Sequence, residues 1–349
     1  MRLGLNMGYI LGRDVAAYVT LARAAEELGY DVVWAAEAYG SDSPTLLSYL
    51  AAKTERIDVG AAVMQIPART PAMTAMTAAS LDLLSGGRFR LGLGVSGPQV
   101  SEGWHGVRFA RPLARTREYV DIVAMALRRE TVRYGGEFFT LPLPDGPGKA
   151  LKLAVHPARE RVPIYLAAVG PRNLELAGEI ADGWLAIFFS PEYSDELLAS
   201  IEAGRQRAAR ADGPFDISAT VPVSLGDDIE TCAEPLRGYA ALYVGGMGSR
   251  EQNFYNALAR RMGFEQAARE VQDLFLAREH RGAMAAVPLD FIDRTSLLGP
   301  PGRVADRLQA FAAAGVSTLN VSLFESDPVR GAATLRAVAD ALDAAGLAD

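Results

Sequence analysis

The chain has 349 residues, half of them apolar, with 34 Gly, 19 Pro and a formal net charge of −7. A core this large folds without disulfides or metal, and acids and bases interleave with no basic stripe, which argues against nucleic acid or an anionic membrane as partner. Cys232 is the only cysteine, so a disulfide framework is excluded and a reducing cytoplasm fits.

The first ten residues, MRLGLNMGYI, lack the charged-then-apolar pattern of a signal peptide. No apolar run approaches the roughly 20 residues of a membrane span. A cytoplasmic protein is expected.

Leu3–Met7 reads as a first strand. Val15–Leu28 follows as an Ala-rich amphipathic helix with Leu21, Ala24, Ala25 and Leu28 on its apolar face. Gly29 stands where a left-handed C-cap is wanted, and Val32, Val33 and Trp34 form the next strand. The plan then repeats. Helix-like stretches at Thr45–Lys53, Ala72–Leu84, Arg115–Arg129, Leu174–Ile180, Ser194–Ala211 and Val304–Ala314 alternate with strand-like runs. Those runs are Ile57–Met64, Phe89–Val95, Pro163–Ala168, one after Gly183, Ile217–Ser224 and one within 311–324. Parallel neighbours need crossover helices, so eight such units predict a (β/α)8 barrel, with an open doubly wound sheet as the alternative. Two stretches break the rhythm: a Gly/Pro-rich excursion at 133–161 and a helix-rich one at 225–296. Apolar residues persist through both, so 1–349 reads as a single barrel domain with insertions in its βα loops.

A barrel places chemistry at the C-terminal ends of its strands. Among the segments this selects, Glu37 closes the second strand, where a carboxylate is costly to bury unless paired or working. It reads either as a proton handler or as a barrel-rim salt bridge. At 90–106 a Gly-rich strand runs into Ser96, Gly97, Pro98 and Gln99, small residues that let a flat ligand approach the backbone. Glu102, Trp104 and His105 follow. At 167–178, Gly170 and Pro171 stand between strand and helix, with Arg172 and Asn173 beside them. A helix N-terminus there suits an anion, and Arg172 can add a charge-assisted contact. The three histidines, His105, His156 and His280, have no metal spacing, and no metal site is expected. Neither a nucleophile elbow nor a nucleotide-binding fingerprint occurs. A barrel with an anion-ready turn and no protein nucleophile points to chemistry carried by a cofactor.

The segments LGLNMGY, VVWAAEAYGSDSPTLLSYLAAKTERIDVGAAVMQIPARTPAMTAMTAASLDLLSGGRFRLGLGVSGPQVSEGWHG, VGPRNLELAGEIADGW and ALYVGGMGSREQNFY resemble the luciferase-like monooxygenase superfamily. Within it they are similar to the branch that uses the deazaflavin coenzyme F420, with kinship to the F420-dependent methylene-tetrahydromethanopterin reductases. The many alanines and only three lysines, Lys53, Lys149 and Lys152, point to a GC-rich genome such as an actinobacterial one.

The resemblance implies a barrel holding the deazaflavin ring over its strand ends, hydride transfer to or from a small organic substrate, and a homodimer. It further implies a non-prolyl cis peptide between Ala62 and Val63 against the back of the ring. Phosphate would sit at Gly170, Pro171, Arg172 and Asn173, and the ring's polar edge would meet Glu37, Ala38 and Ser96, Gly97, Pro98 and Gln99. Asn6, where the pterin reductases carry an acid, joins the cofactor-binding positions. Relatives acting on alcohols and sugar phosphates carry an acid and a histidine at the places of Pro98 and Ala38, so their acid–base pair is missing here. Glu37 and Glu102 remain the candidate catalytic proton handlers. The leading expectation is reduction of a C=C or C=N bond by F420H2. The alternatives are an FMN-dependent monooxygenase and a non-catalytic F420- or flavin-binding protein.

Overall fold

The computed structural model describes residues 1–10 and 14–348. Eight parallel strands close into a barrel: β1 (Arg2–Asn6), β2 (Val32–Ala35), β3 (Asp58–Ala61), β4 (Phe89–Gly94), β5 (Ile164–Ala167), β6 (Gly183–Ile187), β7 (Asp216–Leu225) and β8 (Thr318–Ser322). Each pairs with the next, and β8 returns to β1 in the register Arg2 to Thr318, which leaves no barrel edge open. A closed sheet satisfies every ladder group, whereas an open one exposes edges. The open-sheet alternative is therefore set aside.

The helices form because their starts are capped. Asp14, Asp42, Thr70, Asp228, Asn253 and Asp327 each accept hydrogen bonds from first-turn amides, satisfying donors that the helix itself cannot. Gly29 ends the first helix with φ +81°. That helix buries Ala22 and Ala25, and Ala24 is only partly covered, so its packed face is rotated slightly from the expected one.

The apolar layer between strands and helices is the main core. The barrel lumen is separate and is filled in tiers. At its floor Arg90 pairs with Asp58 at 2.7 Å and with Asp31, while Asp216 accepts from Tyr165 at 3.0 Å and faces Arg2 at 3.0 Å. Above it, Trp34 donates to Asn320 at 2.8 Å and packs edge-on against Tyr165. Gly60 makes room for that indole: a Cβ there would lie 2.4 Å from the ring.

Residues 133–161 hold only a short antiparallel ribbon, Tyr134–Gly135 with Thr140–Leu141, and the isolated pair Thr131–Lys152. Residues 225–296 hold helices Ile229–Ala241, Phe254–Arg261, Glu265–Leu276, His280–Ala285 and Leu289–Arg294. Cys232 is buried on the first of these. None of the described helices is long and apolar enough to cross a membrane.

Candidate functional site

The C-terminal rim of the barrel gathers most of the residues singled out above. Asn6 leaves β1 with its amide donating to Thr220 of β7 at 3.1 Å and its carbonyl oxygen accepting from the Gly8 amide at 2.9 Å. Both ends are held, so Asn6 spans the lumen as a fixed polar group.

The peptide between Ala62 and Val63 is cis. Val63 rests against Gly94, where a Cβ would come within 2.6 Å of the valine side chain. Ala62, Val63 and Ala167 pack on the lumen cluster of Val32, Trp34, Tyr165 and Leu185. The top of the plug is thus a low apolar platform, suited to the back of a flat ring.

Beside it, Gln65 donates to the Ala38 carbonyl at 2.7 Å and accepts from the Ser96 hydroxyl at 2.8 Å. One buried amide thereby links the loops after β2 and β4. Ser96 has φ +62° and Phe188, just past β6, has φ +52°. Such backbone costs about 1–3 kcal/mol in a residue other than glycine, and it concentrates at ligand sites. Gly97 leads into a short helix, Pro98–Gly103. Gln99 on its first turn is exposed.

The two proposed proton handlers are both engaged elsewhere. The Glu37 side chain is only 5 % exposed. Its carboxylate accepts from both terminal nitrogens of Arg69 at 2.7 Å, from the Ser43 amide and hydroxyl at 3.1 and 3.2 Å, and from the Gln65 amide at 3.2 Å. With five donors on two oxygens, it holds the rim together. Glu102 sits on the outer face of its short helix, 41 % exposed, accepting from the Phe109 amide at 3.0 Å and lying 3.6 Å from Arg108. It braces the turn at 103–109. In this structure both carboxylates are thus held by protein partners.

At the opposite rim, Gly170 precedes helix Pro171–Ile180, and its carbonyl accepts from the Asn173 and Leu174 amides at 3.0 Å. Pro171 fills the first helical position, where a missing N–H costs nothing. The Asn173 side chain turns back to the Ala167 carbonyl at 3.4 Å. Arg172 is exposed. A second guanidinium, absent from the sequence reading, completes the turn: Arg261 donates to the Val169 carbonyl at 3.1 Å, while its buried Nε has no partner. A buried, unpaired N–H is costly. Its position next to a helix N-terminus fits a phosphate that accepts from it.

The insertion at 225–296 reaches over this rim with Tyr239, Tyr243 and Tyr255, whose rings crowd around Phe188 at centroid distances of 5.3, 5.6 and 6.2 Å. Beyond β8, Glu325 accepts from Thr334 at 2.8 Å and keeps its other carboxylate oxygen buried and unpartnered. A hollow of about 640 Å³ elsewhere is lined by Glu265, Gln266, Arg269, Glu270 and Asp273 on the outside of their helix and by no barrel-strand residue. Among the described residues no cluster of His, Cys, Asp and Glu is placed to hold a metal ion.

Set beside known proteins, residues 5–318 match the family model described as luciferase-like monooxygenase. A Mycobacterium tuberculosis protein assigned by name to the coenzyme F420-dependent oxidoreductases is 43 % identical over 342 residues, covering 96 % of this chain and 99 % of its own. The 5,10-methylenetetrahydromethanopterin reductase of Archaeoglobus fulgidus is 29 % identical over 309 residues, covering 87 % of each. Among solved structures, the coenzyme F420-dependent tetrahydromethanopterin reductase of Methanopyrus kandleri superposes with a TM-score of 0.82 over 97 % of both chains at 23 % identity.

Proposed function

The chain belongs to the luciferase-like monooxygenase family, and from that premise we propose that it is an F420-dependent oxidoreductase that moves hydride between the deazaflavin and a small organic substrate. When bound, the deazaflavin supplies the two-electron hydride chemistry that no protein side chain offers. The residues around it bind, orient and exclude water. Ala62 and Val63 form the platform beneath the ring. The Ala38 and Ser96 loops, locked together by Gln65, meet its polar edge. Gly170, Arg172, Asn173 and Arg261 receive the phosphate of its tail. We take the reaction to be reduction of a C=C or C=N bond, in which alignment of donor and acceptor carbons at near-contact distance supplies most of the rate.

The observation that carries this reading is the unpartnered Nε of Arg261 beside the Gly170 turn. Titration with F420 and with FMN, followed by absorbance, tests it. Saturable F420 binding that weakens about tenfold or more in Arg261→Gln, the loss of one charge-assisted contact, is the expected outcome. Tight FMN binding with none of F420 would turn the assignment to the flavin monooxygenases.

We also propose that the protein is a homodimer. Met73, Met76, Leu83 and Leu84 lie along one face of helix Pro71–Leu84 and are half exposed or more, an apolar stripe suited to a second copy of itself. Sedimentation of Met76→Glu against the parent chain tests this: the variant is expected to be monomeric.

A further inference from the structure

Buried tyrosines in this protein normally find an acceptor. Tyr30 donates to the Leu335 carbonyl at 2.9 Å and Tyr165 to Asp216 at 3.0 Å, while Tyr119 shares a 2.5 Å contact with the Thr74 hydroxyl. That is the usual fate of a phenol taken out of water. The tyrosines at the barrel mouth have no such acceptor among the described residues, and none of their hydroxyls is a buried atom left without a partner. Tyr9, Tyr239, Tyr243 and Tyr255 are partly covered, yet among the described residues the hydroxyls of Tyr9 and Tyr255 make no hydrogen bond. Those of Tyr239 and Tyr243 interact only with each other.

Their rings form one surface. Tyr239 and Tyr243 lie 4.7 Å apart, Tyr243 and Tyr255 4.8 Å apart, and Phe324, just beyond β8, closes on Tyr239 at 5.4 Å. Phe188 and Phe291, both buried, back the group. The wall is fixed rather than loose. Helix Ile229–Ala241 passes into a single π turn, Leu242–Gly246, a feature that recurs at functional sites. Gly245 and Gly246 press on Phe275 so closely that a Cβ would lie 2.6 or 2.3 Å from it.

Charge is the other distinguishing property. Burial holds the Tyr9, Tyr239 and Tyr255 hydroxyls above their ordinary ionisation range, Tyr255 at about 12. Among the described residues only neighbouring tyrosines add to the effect, and no described carboxylate or guanidinium is a cause for these three. Among the described residues the wall is therefore uncharged and aromatic, with the Tyr9 and Tyr255 hydroxyls free to donate. Glu37 and Glu102, the acidic alternatives, are both occupied elsewhere.

We propose that Tyr9, Tyr239, Tyr243 and Tyr255 form the substrate wall, and that it takes a flat, uncharged, conjugated carbonyl compound whose oxygen accepts hydrogen bonds from their hydroxyls. This rests on the F420-dependent reading for its electron source, but the binding it describes needs no cofactor. In the reaction, hydride from F420H2 forms a C–H bond at the β-carbon and the C=C π bond breaks. Its electron pair shifts towards the carbonyl oxygen. A tyrosine O–H bond breaks and its proton passes to that oxygen, giving an enol that tautomerises to the saturated ketone. Solvent then returns a proton to the tyrosinate and takes the one that the deazaflavin would release on oxidation. The substrate gains two electrons and two hydrogens, and the deazaflavin is oxidised by two electrons. Phosphorylated or carboxylated substrates find no counter-charge on this wall and pay for desolvation.

The test uses the protein without cofactor and 4-phenyl-3-buten-2-one as probe. The expected result is saturable binding with a red shift of the enone absorption, the signature of a hydrogen-bonded carbonyl. Cinnamate, the carboxylate analogue, is expected to bind at least about tenfold more weakly. Combined Tyr→Phe replacement at 9, 239, 243 and 255 keeps ring packing, so near-native binding with the shift abolished supports the assignment. An unchanged shift in that variant, absence of enone binding by the parent protein, or cinnamate binding as tightly as the enone overturns it. F420 titrations of the same proteins keep the two readings apart. Loss of F420 binding by the parent protein counts against the F420-dependent assignment, whereas the enone spectra bear on the wall alone.

Discussion

Arg69 grips Glu37 from two sides, each terminal guanidinium nitrogen donating to one carboxylate oxygen at 2.7 Å. The pair is nearly closed to water, with side chains 15 % and 5 % exposed. Asp42, which caps the next helix, also meets Arg69. This geometry makes the acid at the end of β2 a fastening between the β2 loop and the segment after Val63.

Replacing Arg69 tests that role. Arg69→Met leaves a buried carboxylate without its counter-charge, and such removals cost about 3–5 kcal/mol. The expected outcome is a loss of roughly that size in urea unfolding. Glu37→Gln keeps the shape and several hydrogen bonds, and is expected to lose about 1–2 kcal/mol. It should retain cofactor binding to within a few-fold. A large fall in turnover of Glu37→Gln with stability unchanged would restore Glu37 as a proton handler.

Gln65 is the link between the Ala38 carbonyl and the Ser96 hydroxyl. Gln65→Leu preserves the bulk and strips both bonds. Each uncompensated polar group costs about 1 kcal/mol or more, so global stability is expected to fall by about 2 kcal/mol. Freed from each other, the loops present a less ordered edge to the ring, and F420 affinity is expected to drop about tenfold, or 1.4 kcal/mol. Calorimetric titration beside a denaturation curve separates the two effects.

A third expectation concerns acid. Burial opposes ionisation of Glu192, but hydrogen bonds from Arg307 and Ser190 outweigh it and draw the carboxyl down to about 2. A folded-state pKa below the unfolded one means that the unfolded chain binds more protons in this range. The stabilisation is thus complete above about 4.5 and is lost as pH falls towards about 2. Glu192 is 40 % exposed, so solvent screens the pair and the effect is modest. Glu192→Gln is expected to be the less stable protein at pH 7, with the difference shrinking between about pH 5 and pH 2 in parallel thermal unfolding series.

The legible parts of the molecule were those governed by near neighbours in sequence. The left-handed turn at Gly29, the strand runs and the helix starts follow from residues within a few positions of one another. The strand-to-helix turn at Gly170 and Pro171 was visible for the same reason. What escaped depends on partners that only barrel closure brings together. Arg261 lies 92 residues from the carbonyl it holds, and Arg69 lies 32 from Glu37, so nothing local distinguishes either from an ordinary surface arginine. The tyrosine wall draws on loops after β1, β6 and β8 and on the insertion at once. In the sequence those residues are scattered aromatics in segments without a motif. Glu37 was legible as a costly acid, but its partner Arg69 was not.

The barrel floor gives the sharpest electrostatic test. Arg90 is 6 % exposed and sits among Asp31, Asp58 and Asp216, bonding to the first two and lying 3.8 Å from the third. Burial already raises the Asp58 carboxyl above the usual range, and Arg90 is the main group pulling it back. Arg90→Met removes that counter-charge and leaves three carboxylates converging at one end of the lumen, at an expected cost of about 3–5 kcal/mol at pH 7. The sign of the pH dependence then reverses from the Glu192 case. With the guanidinium gone, burial holds the folded-state pKa of Asp58 further above its unfolded value, so the folded state binds more protons there and stability falls as pH rises. Relative to the parent, Arg90→Met is therefore expected to recover part of its deficit between pH 7 and about pH 4 in chemical unfolding, because protonated carboxyls no longer repel. A deficit that stays constant across that range would show that the loss comes from packing of the arginine stem in the lumen and not from its charge.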